Sequence, residues 1–306
     1  MLRAGCRCLA VFFVLGMLCS LSPKSAHASR ILNDAVLTRP FHHTIWQATL
    51  NRVASASGAI DFITLRLHPG RLNQYLDQLA LVSPENHPDY FPHPADVLAY
   101  WLNAYNALAL KLALNHYPLM ATSTEIVQDS DIPSRYPLGN RRYSLKAIRE
   151  RMLTRYYSFY PQILMALTDY TQDGPPLFPQ AYESDSLPQQ LEAAVHLAMK
   201  ETSLIRFKRP SAKNEPGACP SIELSAFWKQ YERVWEGNNE ENIVNSSASM
   251  RVWPAPKVKI GIKTAGWYIR LKPFAPPDFA ANWDRPCAPT VHYRPANLQW
   301  RQVNPI

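Results

Sequence analysis

Apolar residues recur at helical spacing through most of the first 235 positions. In the segment from 72 to 82, for example, Leu72, Tyr75, Leu76 and Leu79 share one helical face. The same pattern predicts helices over residues 45–54, 72–82, 145–157, 161–167 and 187–200. Ser144 precedes the third of these and offers it an N-cap oxygen.

The longest predicted helix is apolar on nearly every side. Pro94 stands at its start and Pro118 follows its end, which are the places where helices tolerate proline. A helix without a polar face is either buried in a core or embedded in a membrane. Because Asn103 and Asn106 interrupt the apolar run, we predict a buried core helix over residues 94–117.

The pattern changes after the polar, turn-rich stretch 236–242. Residues 257–263 alternate charged and apolar side chains, and residues 267–271 resume after a turn, which predicts a β-hairpin. Residues 273–306 are rich in proline and are predicted to be irregular. The fold class is therefore predicted as α+β, a helix-rich body around a buried central helix with a C-terminal β-hairpin extension over 236–306. Strand order stays open.

The first 28 residues have the pattern of a secretory signal peptide. Arg3 and Arg7 precede the apolar run 9–18, and Ala26 and Ala28 provide the small residues that signal peptidase accepts. The run is about half of the roughly 20 residues needed to cross a bilayer. We expect cleavage after Ala28, a periplasmic or secreted protein with no integral membrane segment, and a short N-terminal segment over 29–43.

Once the signal peptide is removed, the mature chain is mildly basic and keeps two cysteines. Removing residues 1–28 takes away three basic residues and leaves 29 basic against 24 acidic ones, a net charge of +5. This mild surplus favours an envelope component or protein as partner rather than nucleic acid. Cys219 and Cys287 are the cysteines that remain, and we predict that they form a disulfide in an oxidising compartment. Two separately buried thiols are the alternative.

Several stretches resemble the domain-of-unknown-function 547 family. Residues 101–108 (WLNAYNAL), followed by 115–118 (NHYP), are similar to the hallmark helix of that family. Supporting similarity lies at 58–62, at 143–148, in the double-proline stretch 174–177, at 187–198 and at 222–228. The resemblance runs over about 44–235. The family has no settled activity, so it implies a domain rather than a reaction.

The departures from the family pattern bear on chemistry. The resemblance implies a Glu-His pair, a further His and two Cys at positions where this chain has Arg149-Glu150, Leu164, Asp169 and Gly174. A Cys-His pair would make a thiolate nucleophile, which needs a base beside the thiol. None of these positions carries a thiol or an imidazole here. The sequence therefore argues against that kind of catalysis.

Two asparagines and two prolines form the first group of candidate site residues. Asn103 and Asn106 are three residues apart and lie on one helix face, where their amides could hold a loop or a ligand. We favour the view that they satisfy buried backbone groups of the loop around Pro175 and Pro176, because buried amides must be paired whatever the function.

Acidic residues and histidines form two weaker groups. Asp169, Asp173 and Glu150 could act as a general acid or base only if one of them is desolvated, and ordinary loop carboxylates are commoner. The second group is a run of histidines and aspartates that could bind a divalent metal: His87, Asp89, His93 and Asp96. The prolines between them predict an extended connector, so we expect these to be polar surface residues and expect no cofactor.

Three functions remain open at this stage. We favour a non-catalytic binding or scaffolding domain of the cell envelope, because the ionisable residues of the family pattern are replaced. The alternatives are an envelope hydrolase or transferase that uses carboxylates in their place, and a structural or assembly protein that acts through the C-terminal hairpin.

Overall fold

The computed structural model describes residues 40–118, 136–156, 160, 162–208, 221–231, 275–277 and 290–303. Helices predominate in this part of the chain, with short strands among them. In chain order the elements are α1 (Thr44–Val53), α2 (Phe62–Leu67), α3 (Gly70–Leu81), α4 (Pro94–His116), β1 (Tyr136–Leu138), β2 (Arg141–Tyr143), α5 (Leu145–Tyr156), α6 (Ile163–Ala166), α7 (Leu187–Met199), β3 (Ile205–Lys208), β4 (Ser221–Leu224), α8 (Ala226–Gln230) and β5 (Thr290–Tyr293).

Helix α4 lies at the centre, as its composition predicts. The Asp96 side chain accepts a hydrogen bond of 2.8 Å from the His93 backbone N–H and closes the N-terminal turn. From Leu98 to Leu110 every side chain is buried. By length and composition α4 could cross a membrane, but 83% of its most apolar window is buried inside the protein. The predicted α+β class and the buried central helix are confirmed.

The helices on either side of α4 supply an aromatic core. The ring of Trp46 on α1 stacks on that of Tyr75 on α3, with centroids 5.7 Å apart. The Tyr75 hydroxyl in turn lies 2.8 Å from Nδ1 of His43, which is fully buried at the start of α1. Helices α3 and α5 both pack directly against α4. The apolar faces read from the sequence therefore meet on the central helix.

A three-stranded sheet lies after α7 and joins distant parts of the chain. Strand β3 pairs antiparallel with β4, with Ile205 opposite Leu224. Strand β5 pairs parallel with β4, with Ser221 opposite Thr290. Part of the tail predicted to be irregular thus forms an edge strand. A parallel partner about 70 residues away leaves no local pattern from which it could be predicted.

Residues 294–303 follow β5 and are named here the C-terminal strap. The strap crosses to the connection between α1 and α2. There the backbone N–H of Ile60 donates to Arg301 O at 3.0 Å, and Ile60 O accepts from Val303 N at 3.0 Å. It also bonds Gln172 through Gln299. Other predictions fall outside the described residues: the signal peptide, the boundary at 236–242, the hairpin over 257–271 and the Cys219–Cys287 disulfide.

Candidate functional site

Asn103 and Asn106 hold both ends of residues 167–182, named here the double-proline loop. The Asn103 side chain donates to Tyr182 O at 2.8 Å and accepts from Tyr182 N at 2.9 Å. Asn106 donates to Ala166 O at 2.9 Å and accepts from Thr168 N at 3.2 Å. Both amides are at most 1% exposed. Each side chain therefore satisfies a buried peptide donor and a buried peptide acceptor.

The prolines themselves are buried between these two attachment points. Pro175 and Pro176 pack inside the protein, and Gly58 of the N-terminal region lies against Pro176. A Cβ atom at Gly58 would lie 2.4 Å from Leu177 O, and the positive φ of 77° at this residue also disfavours any side chain. The loop is thus fixed by close backbone contact as well as by the two asparagines.

Asp169 lies near the start of the loop and turns its backbone. Its Oδ1 accepts from the Thr171 backbone N–H at 2.9 Å and from the Thr171 hydroxyl at 2.8 Å. Tyr170 between them has a φ of 64°, and its hydroxyl donates to Asn106 O at 2.8 Å. A Cβ at Gly174 would lie 2.2 Å from the same Asp169 oxygen. The carboxylate therefore occupies the space beside position 174.

A cavity of about 70 Å³ opens beside Asp169. Its floor is apolar and buried, and comes from α4, α5, α8 and the start of the loop. The strap contributes Trp300 as a wall. Arg149 and Asp169, both half-buried, and the exposed Gln230 form its rim. The floor residues are Ala109, Leu112, Ala113, Leu145, Leu167 and Phe227.

Two buried tyrosines line the cavity together with the charged rim residues. Burial raises the pKa of Tyr105, the Arg149 guanidinium opposes this rise through its charge and a hydrogen bond, and Asp169 adds to it. Burial likewise raises the pKa of Tyr231, again with Arg149 lowering and Asp169 raising it. Arg149 Cζ lies 5.7 Å from the centroid of the Tyr231 ring. Both hydroxyls remain neutral hydrogen-bonding groups at neutral pH.

Glu150 does not reach this cavity. It is exposed, whereas its neighbour Arg149 lines the rim. Successive residues of a helix point about 100° apart, so Arg149 and Glu150 leave α5 in different directions. Leu164, at another position singled out by the family pattern, is fully buried in the core that also holds Ile222 and Trp228. Of these positions, 149 and 169 therefore face the cavity.

Asp173 belongs to the attachment of the strap. Its carboxylate accepts a hydrogen bond from the Asn297 backbone N–H. Burial raises its pKa and the nearby Asp169 adds to that rise, while the Asn297 hydrogen bond and two arginines, Arg294 and Arg301, oppose it. Asp173 is not one of the described residues that line the cavity. Its surroundings therefore indicate a structural carboxylate.

Arg301 is the main link between the strap and the loop. It is 5% exposed, donates to the backbone oxygens of Gln172 and Gly174 at 3.0 and 3.1 Å, and pairs with Glu201 at 2.6 Å. A buried guanidinium with this set of acceptors holds several segments in a fixed arrangement. The strap consequently closes one side of the cavity through Trp300.

The candidate metal residues do not converge. His87, Asp89 and His93 are exposed, and Asp96 is engaged in capping α4. The described part of the chain contains no group of three or more His, Cys, Asp or Glu side chains placed to hold a metal ion. Residues 88–90 form a turn of 3-10 helix rather than the extended connector predicted, and Asp96 already belongs to α4.

The cavity presents groups of both charges and uncharged hydrogen-bonding groups. Its described lining offers a cation, a carboxylate, two tyrosine hydroxyls and an amide, with no cysteine, histidine or serine among them. Arg149, Tyr105 and Tyr231 were not selected from the sequence. The only available signal was that Arg149 occupies a position where the chain departs from the family pattern.

Comparison with known proteins gives one family match. Residues 93–197 match the model of the family described as "Protein of unknown function, DUF547". This segment runs from the start of α4 into α7 and includes both asparagines, Arg149, Asp169 and the double-proline loop. Tyr231 and Trp300 of the cavity lie beyond it. No curated protein and no solved structure matches the chain.

Proposed function

Since residues 93–197 make this chain a member of the DUF547 family, whose function is unknown, we propose its role from its own residues. The chain is a non-catalytic domain, exported to the cell envelope, which binds a small polar molecule in the cavity between Arg149 and Asp169. The same surface can serve a scaffolding role if that molecule is part of a larger envelope component. Export is supported by the signal-peptide pattern of residues 1–28.

One observation carries the binding proposal: two of the residues at which the chain departs from the family pattern, Arg149 and Asp169, line one cavity. Asp169 stands where the resemblance implies a cysteine, and Gly174, at the other implied cysteine, lies directly beside its carboxylate. Arg149 lines the same space. A position for a nucleophile thus carries a carboxylate, which can attract a ligand but offers no thiolate.

The rival enzyme hypothesis uses Asp169, Asp173 or Glu150 in place of the reactive groups of the family pattern, with a partner in hydrogen-bond reach. Glu150 points away from the cavity and Asp173 is bonded to the strap. Asp169 is the remaining carboxylate, and its Oδ1 already accepts two hydrogen bonds from Thr171. General acid–base catalysis by carboxylates usually needs a second group in reach of the same substrate. The third hypothesis, assembly through the hairpin 257–271, concerns residues outside those described.

Binding and turnover can be tested together on purified residues 29–306. Thermal unfolding would be followed with amino acids, amino sugars, sugar phosphates and short peptides, each at millimolar concentration. A ligand at ten times its Kd adds about 1.4 kcal/mol of stability, or about 3 °C in a domain of this size. We expect at least one compound to raise the Tm of the wild type but not of Arg149→Gln.

The matched control is Arg155→Gln, which removes the same charge from an exposed position of the same helix. It should respond as the wild type does. Mass spectrometry of the incubated mixtures measures turnover, and every compound should be recovered intact. If a compound is consumed and Asp169→Asn stops its consumption, the protein is an enzyme and the proposal is wrong. If no compound stabilises the wild type more than Arg149→Gln, the cavity does not bind such ligands.

Export is tested separately by expressing residues 1–306 in a Gram-negative bacterium and sequencing the N-terminus of the product. We expect Ser29 as the first residue, in the periplasmic fraction or medium. An intact Met1 in the cytoplasmic fraction would contradict export without bearing on the cavity.

A further inference from the structure

We infer that a groove beside β3 binds an extended acidic peptide, that is, a segment of a partner protein in which carboxylates alternate with apolar side chains. The groove has a volume of about 740 Å³ and is lined by the end of α7, by β3 and by residues 275–277. It shares none of its described lining residues with the cavity beside Asp169. The inference therefore goes beyond the proposed function and does not depend on it.

Three cations line this groove. Lys200 follows the end of α7, Arg206 and Lys208 lie on β3, and all three side chains are exposed. No Asp or Glu occurs among the described residues that line the groove. Clefts lined by one sign of charge concentrate ligands of the opposite sign. Charge complementarity therefore selects a partner that carries several anionic groups.

The rest of the described structure neutralises these cations only in part. Lys208 pairs with Glu223 on the neighbouring strand β4. Arg206 donates from Nε to Thr202 O at 2.9 Å, so its two terminal nitrogens stay available within the described part of the chain. Burial lowers the pKa of Arg294, and the charge of Arg206 lowers it further. Positive charge is therefore in excess on this side of the sheet.

The spacing of the cations fits an extended chain. Arg206 and Lys208 are two residues apart on β3, where they pair in register with Glu223 and Ser221 of β4. Residues two apart on a strand point to the same face and lie about 6.6–6.8 Å from each other. Alternate side chains of an extended peptide have the same spacing. Two of its carboxylates can therefore face Arg206 and Lys208 together.

The other part of the lining is apolar. It is formed by Met199, Ile205, Ala275, Pro276 and Pro277. The prolines have no N–H to donate and present mainly carbon atoms. Successive side chains of an extended peptide point to opposite sides, so such a chain can offer carboxylates to the cations and apolar groups to this surface. An anionic glycan satisfies the cations alone, and the described lining therefore favours a peptide.

The test is fluorescence anisotropy of residues 29–306 at pH 7 and low salt, with short labelled peptides. The first peptide alternates Glu and Val, the second has the same composition with all Glu before all Val, and the third alternates Lys and Val. We expect the alternating acidic peptide to bind about tenfold more tightly than the block peptide, and the Lys peptide not to bind. Added salt should weaken the binding, because the cations are exposed.

Variants of the two cations without a carboxylate partner locate the binding. Arg206→Gln and Lys200→Gln should each weaken the alternating peptide about threefold, which is the size expected of exposed charge pairs. Arg52→Gln and Lys229→Gln are the matched controls, because each removes an exposed cation outside the groove. Both controls should bind as the wild type does. The Lys200 ammonium group has no contact within the described residues, so Lys200→Gln tests the groove even if Arg206→Gln fails to fold, which circular dichroism would show.

Three outcomes would overturn the inference. If the block peptide binds as tightly as the alternating one, the groove responds to charge alone and does not select an extended register. If dextran sulfate displaces the peptide at a lower concentration of charge than the unlabelled peptide does, the partner is an anionic glycan. If the groove variants and the controls bind equally, the peptide binds elsewhere. The cavity beside Asp169 keeps its own test with Arg149→Gln, so either proposal can fail without the other.

Discussion

Removing the Asn103 amide should destabilise the protein more than any ordinary surface change. In Asn103→Ala the backbone N–H and C=O of Tyr182 lose their partners, which lie 2.9 and 2.8 Å away in the wild type. Asn103 is fully buried, so water does not replace the amide. Each buried peptide group left unsatisfied costs about 1–3 kcal/mol. We therefore expect the free energy of unfolding to fall by about 2–5 kcal/mol.

The assay is urea-induced unfolding of residues 29–306, followed by circular dichroism with a common slope for all variants. Asn51→Ala is the matched control, because Asn51 is an exposed helical asparagine whose side chain accepts a single hydrogen bond from Gln47 at 2.7 Å. The control should change the free energy of unfolding by less than about 0.5 kcal/mol. Equal losses in the two variants would refute the conclusion that Asn103 secures the loop.

Three further perturbations test the surroundings of the site. Burial and a neighbouring histidine lower the pKa of His43 to about 3, so the unfolded chain binds a proton between pH 6.5 and about 3 that the folded chain does not. The wild type should lose stability on acidification through this window, by up to about 1.4 kcal/mol per pH unit. His43→Gln should lose less, and identical pH slopes in urea unfolding would contradict this. Gly174→Ala places a Cβ 2.2 Å from a carboxylate oxygen and should cost about 1–3 kcal/mol. Gly70→Ala is the control, because outside its own helix backbone and chain neighbours the added Cβ meets nothing within 4 Å, and it should cost nothing. Equal urea midpoints of the two variants would overturn this assignment. Arg301→Met breaks a buried ion pair and should cost about 3–5 kcal/mol in the same assay, against less than about 1 kcal/mol for Arg141→Met at an exposed pair. A loss no larger than that of the control would show that the strap is not held by this arginine.

The helical part of the fold could be predicted from the sequence because its patterns are local. The central helix was expected over 94–117 and is Pro94–His116, since a proline begins it and an apolar run fills it. The segment expected over 45–54 is Thr44–Val53. In both cases the residues that set the boundaries lie within one turn of the helix end, where capping and proline effects operate.

The sheets could not be predicted in the same way. Strands β1 and β2 have three residues each, too few for an alternating pattern. Strand β5 finds its partner in β4 across a long stretch of chain, and a parallel pairing has no turn signature. The six-residue helix α2 was also missed, because Ile63 and Leu67 are exposed and blur its apolar face.

The candidate site was predicted in part. The two asparagines were selected from their spacing and the double-proline loop was expected as their partner, but the individual atoms were not, since Asn103 bonds Tyr182, 79 residues away. Glu150 was selected rather than Arg149 because carboxylates are better acids and bases. Only the orientation of α5 shows which of the two neighbours reaches the cavity.

The most direct test of the cavity is a crystal structure of residues 29–306 grown with the compound that most raises the Tm of the wild type in the thermal-unfolding panel. We expect density for that compound in the cavity, beside Asp169 and beneath Trp300. A cavity filled by protein side chains, or an empty cavity with Arg149 and Asp169 paired directly to each other, would contradict the proposal that this space is a ligand site.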